Sequence, residues 1–199
     1  MRKCKPFIHQ KRLYLGVLGY KTEKTEIQYG SEGNLIFYHY TYKEHLNKIF
    51  AKDSGLYAYR PVTCPRVPTY LRNHFLIEGF LSPTPNWLTN NEYFGNLGKD
   101  LIEQFVGNII LQIEIPKGFS SIYIADYAHI LECKFLDKNE GSSLNLGYDC
   151  SSGKEVTHAY VHSYIPADNY KGGHIAPVVQ LTREGSGIII PNKYISVYN

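Results

Sequence analysis

The chain has 199 residues, 43% of them hydrophobic and 20% charged, and a formal net charge of +3. That length suits one full hydrophobic core and is short for two, while the composition lies far from the low-hydrophobicity, high-charge corner of disordered chains. Because 21 basic residues are nearly balanced by 18 acidic ones, bulk charge gives no strong argument for a polyanionic partner.

The amino-terminal bases Arg2, Lys3, Lys5, Lys11 and Arg12 read as a solvated arm. No signal-peptide-like apolar stretch follows the first methionine, and no window approaches the roughly 18 apolar residues of a spanning helix. Cys4, Cys64, Cys133 and Cys150 form no CxxC pair, so free thiols are expected. These features predict a single cytoplasmic domain of residues 1–199 with no membrane contact: a peripheral segment, 1–33, and a core, 35–199.

In chain order, residues 1–33 suggest one or two peripheral strands ending in the turn-like Tyr29-Gly30-Ser31-Glu32-Gly33-Asn34. Leu35-Ile36-Phe37-Tyr38-His39-Tyr40 is a continuous apolar and aromatic run, the pattern of a strand buried on both faces. Thr41 and Glu44 have capping-box spacing, and Leu46, Ile49 and Phe50 supply a helix face before the stop at Gly55. From Arg60 to Pro85, the prolines at 61, 65, 68, 83 and 85 predict an irregular, surface-running segment with little regular structure beyond Tyr70–Phe80, of the kind that often forms a lid.

Trp87-Leu88-Thr89 reads as a short strand, and Lys99 to Val106 as a short helix. Ile109 to Ile115, closed by Pro116, is a strong strand. Further strands are predicted at Ser121–Ile124, Ile130–Phe135, His158–Ile165, Val178–Thr182 and Gly187–Ile190. The sum is an α+β domain whose carboxyl-terminal half is mostly antiparallel sheet.

The most distinctive segment is Tyr38-His39-Tyr40-Thr41, followed by Leu46-Asn47-Lys48-Ile49 and Gly55-Leu56. A histidine at the end of a buried strand, beside a hydroxyl residue and a helix start, can present ring nitrogens and backbone groups to a sugar or an amide. The same residue can equally be a core histidine satisfied by one backbone bond.

This arrangement resembles the opening motif of the ADP-ribosyltransferase superfamily, in the branch with a first-strand His, which includes the poly-ADP-ribose polymerases and, more loosely, DNA-targeting ADP-ribosyltransferase toxins. The resemblance implies a split antiparallel β-sheet core with a few short helices and NAD as substrate, with no metal. It implies that His39 contacts a ribose or the nicotinamide side of NAD, with Tyr40 or Thr41 lining the cleft. Trp87-Leu88-Thr89 looks like the family's second core strand, Tyr93 like its nicotinamide-stacking ring, and Arg60 or Arg66 could meet phosphate.

The family's late-strand Glu, which stabilises the oxocarbenium-like charge as nicotinamide leaves, has no clear counterpart. His158 stands at the aligned position, Glu155 lies three residues earlier, and Glu184 sits in a Gly-rich turn. Two functions follow as expectations. One is ADP-ribosyl transfer to a protein or nucleic acid in a toxin or defence setting. The other is an inactive module of the same build that holds an NAD-derived or adenine nucleotide.

A metal site is the rival reading of His158, His162 and His174. On a strand, His158 and His162 would lie about 13 Å apart, too far for one ion, whereas a helix would bring them together. Asp126, His129 and Glu132 could add polar groups to a site, but mutually bonded structure is the plainer account.

Overall fold

A computed structural model of the protein describes residues 26–58, 68–71, 73–89, 103, 106–119, 121–129 and 153–199, excluding the side chains of 69, 89 and 153–157. The strands are β1 (Gln28–Tyr29), β2 (Leu35–Thr41), β3 (Gly55–Ala58), β4 (Phe75–Phe80), β5 (Ile109–Ile115), β6 (Ser121–Asp126), β7 (Ile165–Pro166), β8 (Pro177–Arg183), β9 (Gly187–Pro191) and β10 (Ile195–Val197). Among the described residues, helices α1 (Leu46–Ile49), α2 (Asn86–Thr89) and α3 (Gly153–His162) are accompanied by 3-10 turns at Lys43–His45, Thr69–Leu71, Ala167–Asn169 and Asn192–Tyr194. The fold is therefore α+β, mostly antiparallel sheet with few and short helices.

One eight-stranded sheet runs in the order β10-β5-β2-β4-β8-β6-β7, with β1 added to β2, and β3 pairs with β9 in a separate ribbon. Every pairing is antiparallel. Period-two alternation builds the core on one face. Leu35 and Phe37 of β2, Leu111, Ile113 and Ile115 of β5, Ile124 of β6, and Val179 and Leu181 of β8 are buried together. The β3–β9 ribbon closes over them with Leu56, Ile189 and Ile190. Gly55 is required there, because a Cβ would collide with the carbonyl of Ile190.

The opposite face is covered at β8, where Val178, Gln180 and Thr182 are buried as well. Helix α3 contributes to that cover. Its buried Ala159 and Tyr160, with Ser163 just beyond, recur at helical spacing, while His158 and His162 stay exposed. The strand expected over His158–Ile165 is thus a helix followed by the two-residue β7. Val161 and the tyrosines favour strand locally, yet the α3 register buries Tyr160 beside Gln180, and tertiary burial outweighs propensity.

Trp87-Leu88-Thr89 is likewise helical rather than extended, with Trp87 and Leu88 buried. Thr41 is no helix cap: it is the last residue of β2, and the following 3-10 turn has Tyr42 at its cap with no side-chain bond. The strands expected at 109–115, 121–124, 178–182 and 187–190 are present, each within a residue or two of its predicted ends. The strand predicted at Ile130–Phe135 lies outside the described residues, as does most of the helix predicted at Lys99–Val106.

Candidate functional site

The site grows from an asymmetry in the pairing of β2. Along one edge β2 pairs with β5 over its whole length, from Leu35↔Ile115 to Thr41↔Ile109. Along the other edge β1 takes Leu35 and Ile36, and β4 pairs only at Tyr38↔Phe80. β4 meanwhile pairs with β8 at every position from Phe75 to Phe80. Past Tyr38 the two strands diverge, so the sheet splits between β2 residues 39–41 and β4 residues 75–79.

Two glycines fit this split. At Gly79 a Cβ would stand 2.7 Å from both a ring carbon of Phe37 and the Tyr38 carbonyl, so only glycine lets β4 approach β2 at the apex. Gly107, with φ +102°, lets the chain entering β5 pass against the carbonyl of Thr41.

His39 stands at the apex. Its Nδ1 lies 2.7 Å from the Glu78 carbonyl, occupying the place a ladder bond would otherwise fill. A carbonyl can only accept, so Nδ1 carries the proton and, in the neutral ring, Nε2 keeps its lone pair. Desolvation by burial pushes the imidazole below its usual range, outweighing the Glu78 carbonyl, which favours the charged form. A neutral histidine with a fixed tautomer is an acceptor suited to a hydroxyl group.

Tyr40 donates to the Pro83 carbonyl at 2.5 Å and packs edge-on against Phe80, which in turn meets Trp87. Trp87 is only 7% exposed, so its ring serves as packing behind the split rather than as an open stacking surface. Burial raises the Tyr40 phenol above its ordinary range, with a further push from Glu103. Thr41 is buried, its hydroxyl 3.4 Å from Nδ1 of His45. Tyr93 and Arg60 lie outside the described residues, and so does the side chain of Thr89.

Of the catalytic carboxylates named from the sequence, Glu184 is the one whose side chain is described, and it lies away from His39. Register sets Phe75 opposite Arg183 and Phe80 opposite Val178. Glu184 therefore lies past the distant end of β4, roughly 14 Å along the strand from Glu78 at about 3.4 Å per residue. There its side chain is 91% exposed, 3.9 Å from His74. Glu155 falls within α3, its side chain outside the description, and His158 is exposed on that helix facing His162.

The carboxylate the sequence reading missed is Glu78. Its backbone holds His39, and its side chain accepts from Nε2 of Gln180 at 3.1 Å. Alternation sends that carboxylate to the face of Tyr40, opposite the core face that His39 shares with Phe37. Gln180 is fully buried and also donates to the Tyr160 hydroxyl at 3.3 Å. Around them Tyr123, Tyr127, Tyr160 and Tyr164 form a chain of tilted and edge-on rings. Burial drives the phenols of Tyr160 and Tyr164 well above the ordinary range, with Glu78 adding to both. A lone Glu before Gly in the apolar Phe75-Leu76-Ile77-Glu78-Gly79-Phe80 was the available signal.

Asp126 and His174 make a second buried polar cluster. The Asp126 carboxylate accepts from the backbone N–H groups of Ala128, Ile175 and Ala176. His174 donates from Nε2 to the Ser163 carbonyl at 2.8 Å, and its Nδ1 lies 4.0 Å from Asp126. This network ties loops to β6 and is structural in character. A pocket of about 220 Å³ opens elsewhere, between Tyr29, Lys117, Tyr123 and Asp168, and none of the candidate catalytic or nucleotide-binding residues lines it.

No group of three or more metal-ligating side chains occurs among the described residues, and none of their helices is long and apolar enough to cross a membrane. In comparisons with protein-family models, curated proteins and solved structures, no match to this chain is found.

Proposed function

We propose that the chain is an NAD-using ADP-ribosyltransferase with the cleft between β2 and β4 as its nucleotide site. The observation that carries this reading is His39 at the apex of the split, neutral, with Nδ1 donated to Glu78 and Nε2 left as an acceptor. An acceptor there suits a ribose hydroxyl, and strand edges that diverge past Tyr38 offer backbone groups to an amide or a diphosphate. Tyr40, Phe80 and Trp87 back the cleft with rigid rings.

In the reaction, the bond between the ribose anomeric carbon and the nicotinamide nitrogen breaks, and its electron pair leaves with nicotinamide. The acceptor nucleophile bonds to that carbon and loses a proton. A fixed carboxylate near the ribose stabilises the positive charge that develops between these events. Glu78 and Glu155 are the residues to test in that role.

A second reading is a module that binds an NAD-derived or adenine nucleotide without turnover. It is favoured by the placement of two carboxylates: Glu184 lies at the distant end of β4, and the Glu78 side chain takes the face opposite the His39 ring.

Purified protein is incubated with NAD while nicotinamide release is followed by chromatography and binding of NAD and ADP-ribose by calorimetry. The transferase reading expects release that Glu78→Gln or Glu155→Gln abolishes with binding retained. It also expects His39→Asn to weaken binding at least about tenfold, the equivalent of one lost hydrogen bond of roughly 1.4 kcal/mol. Binding without release establishes the second reading. Absence of both, or binding unchanged in His39→Asn, overturns the assignment of this cleft.

A further inference from the structure

The formation of α3 changes the geometry of two histidines. His158 and His162 are four residues apart on the helix, both exposed, with ring centroids 4.1 Å apart and the two Nε2 atoms 2.9 Å apart. On a strand the same pair would be separated by about 13 Å.

Two neutral imidazoles whose Nε2 atoms converge offer either one shared proton or two lone pairs to one ion. Metal–imidazole bonds are about 2.0–2.1 Å long, so an ion bound to both Nε2 atoms at the observed separation subtends an angle of about 90°. That is the angle between adjacent positions of a square-planar or octahedral ion. Tetrahedral ligands at those bond lengths would be about 3.3 Å apart, wider than the pair observed.

Both rings are borne on one helix, so the second bond forms within a molecule already held by the first, and little chain entropy opposes closure.

We propose that His158 and His162 form a surface chelate for one late divalent transition-metal ion of tetragonal preference, Ni(II) or Cu(II). The remaining coordination positions stay open to water or to a donor from a bound molecule. The inference is independent of the NAD reading, because neither histidine lies at the β2–β4 split.

The test uses the full chain, free of affinity tag and stripped with chelator, titrated with Ni(II) in a calorimeter. One equivalent is expected to bind. Each of His158→Ala and His162→Ala is expected to weaken it at least about tenfold, as a two-point attachment becomes a single one, and the double variant loses it. Bound Cu(II) is expected to show two nitrogen ligands by electron paramagnetic resonance in the parent and one in each single variant. Circular dichroism checks the fold of each variant, and His158→Asn with His162→Gln replaces the alanines if the double variant does not fold. Stoichiometric binding retained in the folded double variant would place the ion elsewhere, at cysteines or other histidines, and overturn the proposal. So would the absence of binding to the parent.

Discussion

At the scale of the residue, His39 shows how a single contact sets chemical character. The Glu78 carbonyl fixes the tautomer, and desolvation lowers the proton affinity below the ordinary 6.5. The unfolded chain therefore binds the His39 proton more readily than the folded one. The resulting stability is fully present above the unfolded value and is lost as pH falls through the lower folded value. Urea-denaturation midpoints are expected to decline between about pH 7 and about pH 5, and His39→Asn is expected to flatten part of that decline. An unchanged slope in His39→Asn would mean that the imidazole is not desolvated. Position 39 was legible from the sequence because an apolar strand ending in His-Tyr-Thr is unusual. Glu78 was not, because the partners that distinguish it, Gln180 and Tyr160, are 102 and 82 residues away along the chain.

At the scale of the element, the β2–β4 junction rests on a contact only glycine permits. A methyl at Gly79 would press on Phe37 and the Tyr38 carbonyl. Phe37 is fully buried and cannot yield freely, so strand separation or a shifted ring is the response. Gly79→Ala is expected to lower stability by about 1–3 kcal/mol, the usual cost of overpacking a core, measured by urea denaturation. It is also expected to weaken any ligand of the split more than the corresponding change at the exposed Gly185, where a Cβ meets no atom within 4 Å. A neutral effect on stability would show that the apex is loosely packed. Helix α3 carries the complementary lesson. Its β-branched and aromatic residues read as strand, and only the sheet face it covers, with Gln180 reaching Tyr160, explains why the helix prevails.

At the scale of the whole molecule, the pairing pattern predicts a distribution of protection. β5 lies between β10 and β2, and β8 between β4 and β6, so both edges of each are occupied. Amides of β5 and β8 are expected to exchange last with solvent deuterium, and those of the two-residue β1 and β7 early. β4 tests the split directly. Successive N–H groups of a strand point to opposite edges, so protection along Phe75–Phe80 is expected to alternate, slow toward β8 and fast toward β2. Uniformly slow exchange through β4 would mean that β2 and β4 zip together in solution, closing the cleft.

The sequence by itself determined the elements whose signal is local. β2, β5, β8 and β9 announce themselves as apolar runs or alternations bounded by proline and glycine, because burial of a strand face needs only the residues of that strand. It also determined the α+β class and marked His39 as the residue to watch. Only tertiary structure decided which edges pair, hence that β2 and β4 part after one position and that Glu184 lies away from His39. It alone made residues 153–162 a helix, converting two distant histidines into neighbours. Register, edge choice and the covering of a second sheet face depend on contacts between residues far apart in the chain, and no local periodicity encodes them.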